Sequence, residues 1–187
     1  MASHPTHDKL IDAALVLAGD RPLASIPVED IVREAGVAKG TFYVHFADRA
    51  AFLAAVTRRV HRGLVRATIA AVGSMPPGAE RLAAGAIAYL DASRAQVAAK
   101  STLLESRFDP AVAIEAARCK VESASVMQAD VEALGAPDPI STARLFAALV
   151  SETALIELEA GAEDPAARAA LLAFVPAGRE VRPTARA

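Results

Sequence analysis

The sequence predicts an all-α protein: an N-terminal three-helix helix-turn-helix unit, joined through a long fourth helix to a second helical domain. Three observations carry that expectation. Apolar residues recur at helical spacing between the turn signals. Asp-Pro pairs at 109–110, 138–139 and 164–165 each stand before ten or more residues without proline. No alternating strand pattern and no repeat of fixed period occurs. With 187 residues, 53% of them hydrophobic, the chain can bury one good core or two small ones, which excludes disorder throughout.

From Thr6 to about Gly19, a helical stripe of Ile11, Ala14, Leu15 and Ala18 is widened by Leu10 and Leu17. Asp20 to Pro27, with two prolines and a serine, reads as a loop. The stretch VEDIVREAGVAKGTFYVHF, residues 28–46, then organises the head. Val28, Ile31, Val32 and Ala35 share one helical face. Gly36 suits the position after a helix end, because glycine reaches positive φ without a Cβ clash. A second helix from about Ala38 puts Phe42 and Phe46 on its inner face and Lys39, Thr41, Tyr43 and His45 on its outer one. Two short helices about a glycine turn, the second with a basic, hydroxylic and aromatic face, have the build of a DNA-reading helix-turn-helix.

Residues 29–56, EDIVREAGVAKGTFYVHFADRAAFLAAV, resemble the DNA-binding domain of the TetR family of bacterial transcriptional regulators. The resemblance rests on the apolar helix, the Gly36 turn, the Gly40-Thr41-Phe42-Tyr43 core, His45-Phe46 and Arg49. It departs from the family at Pro27, where Ser or Thr is common, and at Ala38, where Ser is common. A lost capping oxygen typically costs about 1 kcal/mol, and Pro27 is expected to offset this by occupying the first helical position. The resemblance implies contacts to double-stranded DNA: Lys39 and Arg49 to phosphate, Thr41 to phosphate or a thymine methyl, Tyr43 and His45 to phosphate or base edges, with Gly40 allowing close backbone approach. Val44 is either buried or set against a thymine methyl. A two-fold dimer would space its reading helices about 34 to 36 Å apart, so the operator is expected to be an inverted repeat.

A long helix is expected from Asp48 to about Val72, with Phe52, Val56, Val60 and Leu64 as its core stripe. Its Arg58, Arg59, Arg62 and Arg66 read as a solvated or interdomain face, since Arg58 stands about 15 Å along the axis from Asp48. GSMPPG, residues 73–78, breaks the helix. Beyond it, helices are expected over Ala79 to Arg94, about Lys100 to Ser106, Pro110 to Leu134, Pro139 to Gly161 and Pro165 to Phe174. Asp as N-cap with Pro at the first helical position answers the orphan N–H groups and the positive helix end together. The expected domains are 1–50, DNA-binding; 51–175, effector-binding and dimerisation; and 176–187, a disordered tail.

The helix from Pro139 is apolar on two sides and so needs two partners. Phe146, Leu149, Val150, Thr153 and Ile156 line one of them, from which a subunit interface is inferred. The resemblance implies the same homodimer, a four-helix bundle from the last two long helices of each subunit. It also implies a pocket for a small-molecule effector. Leu103, Leu104, Arg107, Phe108 and Cys119 are the expected lining, where one charge in apolar surroundings would orient an amphipathic ligand.

Charge follows the same division. Up to Val72 there are nine Lys and Arg against seven Asp and Glu, and eleven against fifteen beyond, with all four histidines in the first part. A positive head on an acidic body suits a protein that offers only its head to phosphates. A lone cysteine excludes an intrachain disulfide and points to a reducing cytoplasm. No uninterrupted apolar run approaches the 18 or so residues of a membrane span, and the N-terminus has no signal-peptide pattern. No cofactor motif, HExxH, GxSxG or cysteine cluster occurs, so neither an enzyme nor a metal site is expected. The function expected is a repressor released from DNA by its effector; the alternative is a ligand-free DNA organiser built on the same head.

Overall fold

The computed structural model describes residues 5–19, 21–96, 102–105 and 107–175. Helix α1 spans Pro5–Leu17, α2 Val28–Glu34, α3 Lys39–His45 and α4 Arg49–Val72. They are followed by α5 (Ala79–Ala95), a helical turn at 102–105, α6 (Pro110–Ala133), α7 (Pro139–Ala160) and α8 (Pro165–Ala173). No strand occurs among the described residues. Of the helix expected at 100–106, the two ends fall outside them, as do Asp20 and the tail from 176.

The helix boundaries follow local chemistry. Asp48, Asp109, Asp138 and Asp164 each accept backbone N–H groups at the start of α4, α6, α7 and α8. Gly36 sits at φ 65° and closes α2 with the bonds Gly36 N to Arg33 O, 3.2 Å, and Val37 N to Val32 O, 2.9 Å. Pro27 is the cap residue of α2, not its first helical one. Its carbonyl accepts from Asp30 and Ile31, and Glu29 and Asp30 supply the negative charge that a helix start favours. The loop before α2 also contains a 3-10 turn, Leu23–Ser25, that anchors Leu23 in the core.

Two apolar cores meet within α4. The first joins α1, α2 and α3 to Phe52, Leu53 and Val56 of α4, and includes Val112 from α6. The second surrounds Val60 and Leu64 with residues of α5, α6, α7 and α8. Ion pairs tie the two regions to α4. Arg58 binds Glu115 of α6 at 2.7 Å, and Arg59 reaches Asp8 and Asp12 of α1 at 3.3 and 3.1 Å. Elsewhere the buried Glu157 of α7 takes Arg168 of α8 at 2.6 Å, and Asp130 of α6 takes Arg81 of α5 at 2.6 Å.

Helix α7 differs from expectation in which of its sides is covered. An 18-residue window within it reaches a mean hydropathy of 1.2, so by length and composition it is apolar enough to cross a membrane even though no unbroken apolar run shows it. In this fold it is a core helix that buries Ala143, Phe146, Ala147, Val150, Ala154 and Leu158. Phe146, Val150 and Thr153, expected at a partner subunit, are therefore packed inside their own chain, with Leu149 half-buried beside them. Of that set only Ile156 stays exposed, at 39%, because α5, α6 and α8 cover the face that carries the others. The opposite side, with Leu145 at 68% exposed, is the apolar face left open.

Candidate nucleic-acid interface and an internal cavity

Helix α3 is held by its aromatic side. Phe42 is fully buried, with ring centroids 5.4 Å from Phe46 and 5.0 Å from Phe52, and this cluster fixes the rotation of the helix. Lys39, Gly40 and Tyr43 are consequently exposed, Thr41 and His45 half-exposed. Tyr43 is 54% exposed, although its ring edge rests 5.3 Å from Phe42. Val44, 80% exposed, belongs to the outer face and not to the core. A Cβ on Gly40 would meet nothing within 4 Å, so packing within the chain does not require glycine there.

The charges of this face are already engaged. Lys39 pairs with Glu29 of α2, and that hydrogen bond holds the Glu29 carboxyl below the usual range and lifts the Lys39 ammonium above its own. Arg49 donates to the carbonyls of Leu23, at 3.2 Å, and Ala24, at 2.6 Å, so its guanidinium braces the 3-10 turn. The His7 ring lies 4.8 Å from Phe46 and 6.3 Å from His45, packing α1 against the end of α3.

Among the second set of helices lies a cavity of about 20 Å³, room for a single water. Its apolar walls are Val60 and Leu64 of α4, Leu103 and Leu155. Its polar wall combines Thr57, His61, Tyr89, Thr102, Lys120 and Ser151. Burial pushes the His61 imidazole below its usual pKa, and its Nε2 lies 2.7 Å from Ser123 Oγ. Burial likewise raises the Tyr89 hydroxyl to about 12 and the Cys119 thiol to about 11, Glu115 and Glu122 adding to the latter. Each of these three groups is thereby kept uncharged near neutral pH. A thiol so raised is a poor nucleophile. Among the described residues no group of three or more His, Cys, Asp or Glu could hold a metal ion.

Of the residues assigned to an effector pocket from the sequence, Leu103 and Cys119 line this cavity, and Leu104, Arg107 and Phe108 do not. The chain has already turned away toward the Asp109 cap, so Phe108 is 84% exposed and Arg107 reaches Glu152 and Glu159 of α7 at 2.7 and 2.6 Å. His61, Tyr89 and Ser151 escaped the sequence reading, since each alone looks like an ordinary helix residue.

The geometry defines a class: a helix-turn-helix protein with an outward α3 face and an internal cavity in a separate helical core. Residues 10–56 match the family model described as bacterial regulatory proteins, tetR family. A regulator from Bacillus subtilis, the HTH-type YwcC, is 48% identical over 48 residues, which are 26% of this chain and 22% of that protein. The HTH-type regulator MT1294 of Mycobacterium tuberculosis is 27% identical over 168 residues, 90% of this chain and 82% of that one. The chain thus spans about a fifth of the first relative and four-fifths of the second. Among solved structures, the fatty acid degradation regulator FadR from Bacillus halodurans aligns with TM-score 0.75 at 16% identity, covering 97% of this chain and 100% of that one. Residues 10–56 thus form a DNA-binding unit of the tetR-family type, and the fold of the chain as a whole is that of solved TetR-family regulators.

Proposed function

We propose that the protein is a cytoplasmic, homodimeric transcriptional repressor that binds an inverted-repeat operator and leaves it when a small molecule occupies the internal cavity. The exposed Tyr43, on a helix whose rotation is fixed by buried Phe42 and Phe46, is the observation that carries the DNA-binding half of this reading. Lys39, Gly40, Thr41, His45 and Arg49 complete the DNA-facing set. Lys39 exchanges Glu29 for phosphate on binding, a swap that costs little because both partners are exposed. Arg49 contributes by holding the turn beside the reading helix.

The second copy covers the open face of α6 and α7, where Ile114, Val121, Leu145 and Ile156 are exposed. Val121 and Leu145 share one open groove with Ala117 and Ala148, and exposed apolar side chains of this kind are what a four-helix dimer interface requires. Residues 1–50 then act as the head, and 51–175 as the effector-binding and dimerising body. The effector is a small amphipathic molecule that hydrogen-bonds the polar wall and packs on Val60, Leu64 and Leu155. Repression follows by steric block of a promoter, which needs no further surface.

Selection of duplexes from random sequence, followed by footprinting, tests this. An inverted repeat bound tightly by the full chain, and at least about tenfold more weakly by Tyr43→Ala, supports the reading. Equal, salt-sensitive binding to every sequence would leave only a DNA organiser.

A further inference from the structure

The turn at residues 102–105 faces two ways. Thr102 and Leu103 line the internal cavity, while Glu105 is buried and reaches into the head. One carboxylate oxygen accepts from the Leu23 amide, and the other accepts from the Ala24 amide at 2.8 Å. Those amides open the 3-10 turn Leu23–Ser25, which follows Pro22 with no side-chain cap of its own. A helical start presents N–H groups that its own backbone cannot satisfy, and here a carboxylate about 80 residues away takes the capping role.

Arg49 takes the carbonyls of the same two residues, Leu23 and Ala24, so the Leu23–Ala24 peptide unit is held at both poles. It is the first residue of α4, shortly after the end of α3. Leu23 and Ile26, fully buried in the first core, oblige the head to follow any shift of this turn. A continuous series of contacts therefore runs from the cavity wall through Glu105, the 3-10 turn and Arg49 to the reading helix.

We propose that Glu105 is the positioning residue that couples the cavity to the DNA-reading face. The inference rests on the reading of the cavity as an effector site. A cavity of about 20 Å³ admits no organic ligand unless a wall moves. Thr102 and Leu103 are the wall residues that lie outside α4, α5, α6 and α7, which are long helices packed on one another. Glu105 moves with Thr102 and Leu103. Because both of its oxygens are engaged by amides, a small displacement breaks or redirects both bonds, where an apolar contact would merely slide.

The test fills the cavity without the natural effector. Ala116→Leu places a larger side chain in the cavity wall. Independently, Cys119→Met lengthens another side chain of the cavity wall. Both are made with Glu105 and with Glu105→Gln, which keeps the shape but offers one acceptor instead of two. Thermal unfolding establishes that each protein is folded. Affinity for the selected inverted repeat and amide exchange at 22–26 are then read.

With Glu105 present, filling should weaken DNA binding about tenfold or more and speed exchange in the 22–26 segment. In Glu105→Gln the unfilled protein should still bind the duplex, with the filled-to-unfilled ratio below about threefold. Glu105→Asp, which keeps the carboxylate, should restore part of the response. If Glu105→Gln responds to filling as fully as the parent, the coupling role of Glu105 is wrong while the effector cavity stands. If neither way of filling the parent protein changes DNA affinity, the cavity reading fails and takes the coupling role with it.

Discussion

Replacing Arg168 by Met should destabilise the protein by about 3–5 kcal/mol at neutral pH, the usual cost of stripping one partner from a buried ion pair. The Glu157 side chain is 0% exposed, and Arg168 Nε and Nη2 donate to its two oxygens at 2.6 and 2.9 Å. Without them the carboxylate keeps only the Asp164 amide at 3.1 Å. Burial, the largest influence, pushes the Glu157 pKa upward, but the hydrogen bonds and charge of Arg168, the Asp164 amide and the charge of Arg94 together outweigh it and hold the group below the usual carboxylate range. In the intact protein this pair therefore contributes stability that is present above the unfolded pKa of about 4.3 and is lost as pH falls through the folded value. In Arg168→Met burial is opposed only by the Asp164 amide and the charge of Arg94, so the folded pKa rises above the unfolded one and the sign reverses. Lowering pH from about 7 to 5 should then narrow the gap between variant and parent. Urea unfolding followed by circular dichroism, at one protein concentration and at both pH values, measures this. The double variant Glu157→Leu/Arg168→Met, which leaves no buried charge, should cost well below the sum of the single changes. A loss under about 1 kcal/mol, or a gap that does not change with pH, would refute the reasoning.

Two further outcomes follow from the same structure. The folded His61 pKa is depressed by burial, so the unfolded chain takes up the proton first and stability should fall as pH drops below about 6.5; His61→Gln should flatten that slope between about pH 7 and 5 in melting temperature, and an unchanged slope would assign it to other groups. Leu145→Glu, on an exposed position of α7, should leave the fold intact but set like charges against one another in the proposed homodimer; sedimentation should then show a monomer at micromolar concentration, and an undiminished dimer would put the interface elsewhere.

Most of the helix boundaries were legible in the sequence because their causes are local. The Asp-Pro pairs cap α6, α7 and α8 through N–H groups two or three residues away, and Gly36 closes α2 through bonds within the same turn. The reading face was legible for the same reason: with Phe42 and Phe46 inward, helical geometry alone turns Lys39 and Tyr43 outward. Tertiary packing decided what periodicity leaves open. Helix α7 is apolar on two sides, and nothing in its own residues says which side α5 and α6 will cover; the covered side took Phe146 and Val150 and left Leu145 outside. Arg49 carries the charge of a phosphate ligand, yet it braces carbonyls that only the folded loop brings near it. The cavity wall gathers residues from Thr57 to Leu155, and Glu105 meets amides about 80 residues before it. Such contacts depend on how helices pack across long stretches of chain, and no spacing along the sequence encodes them.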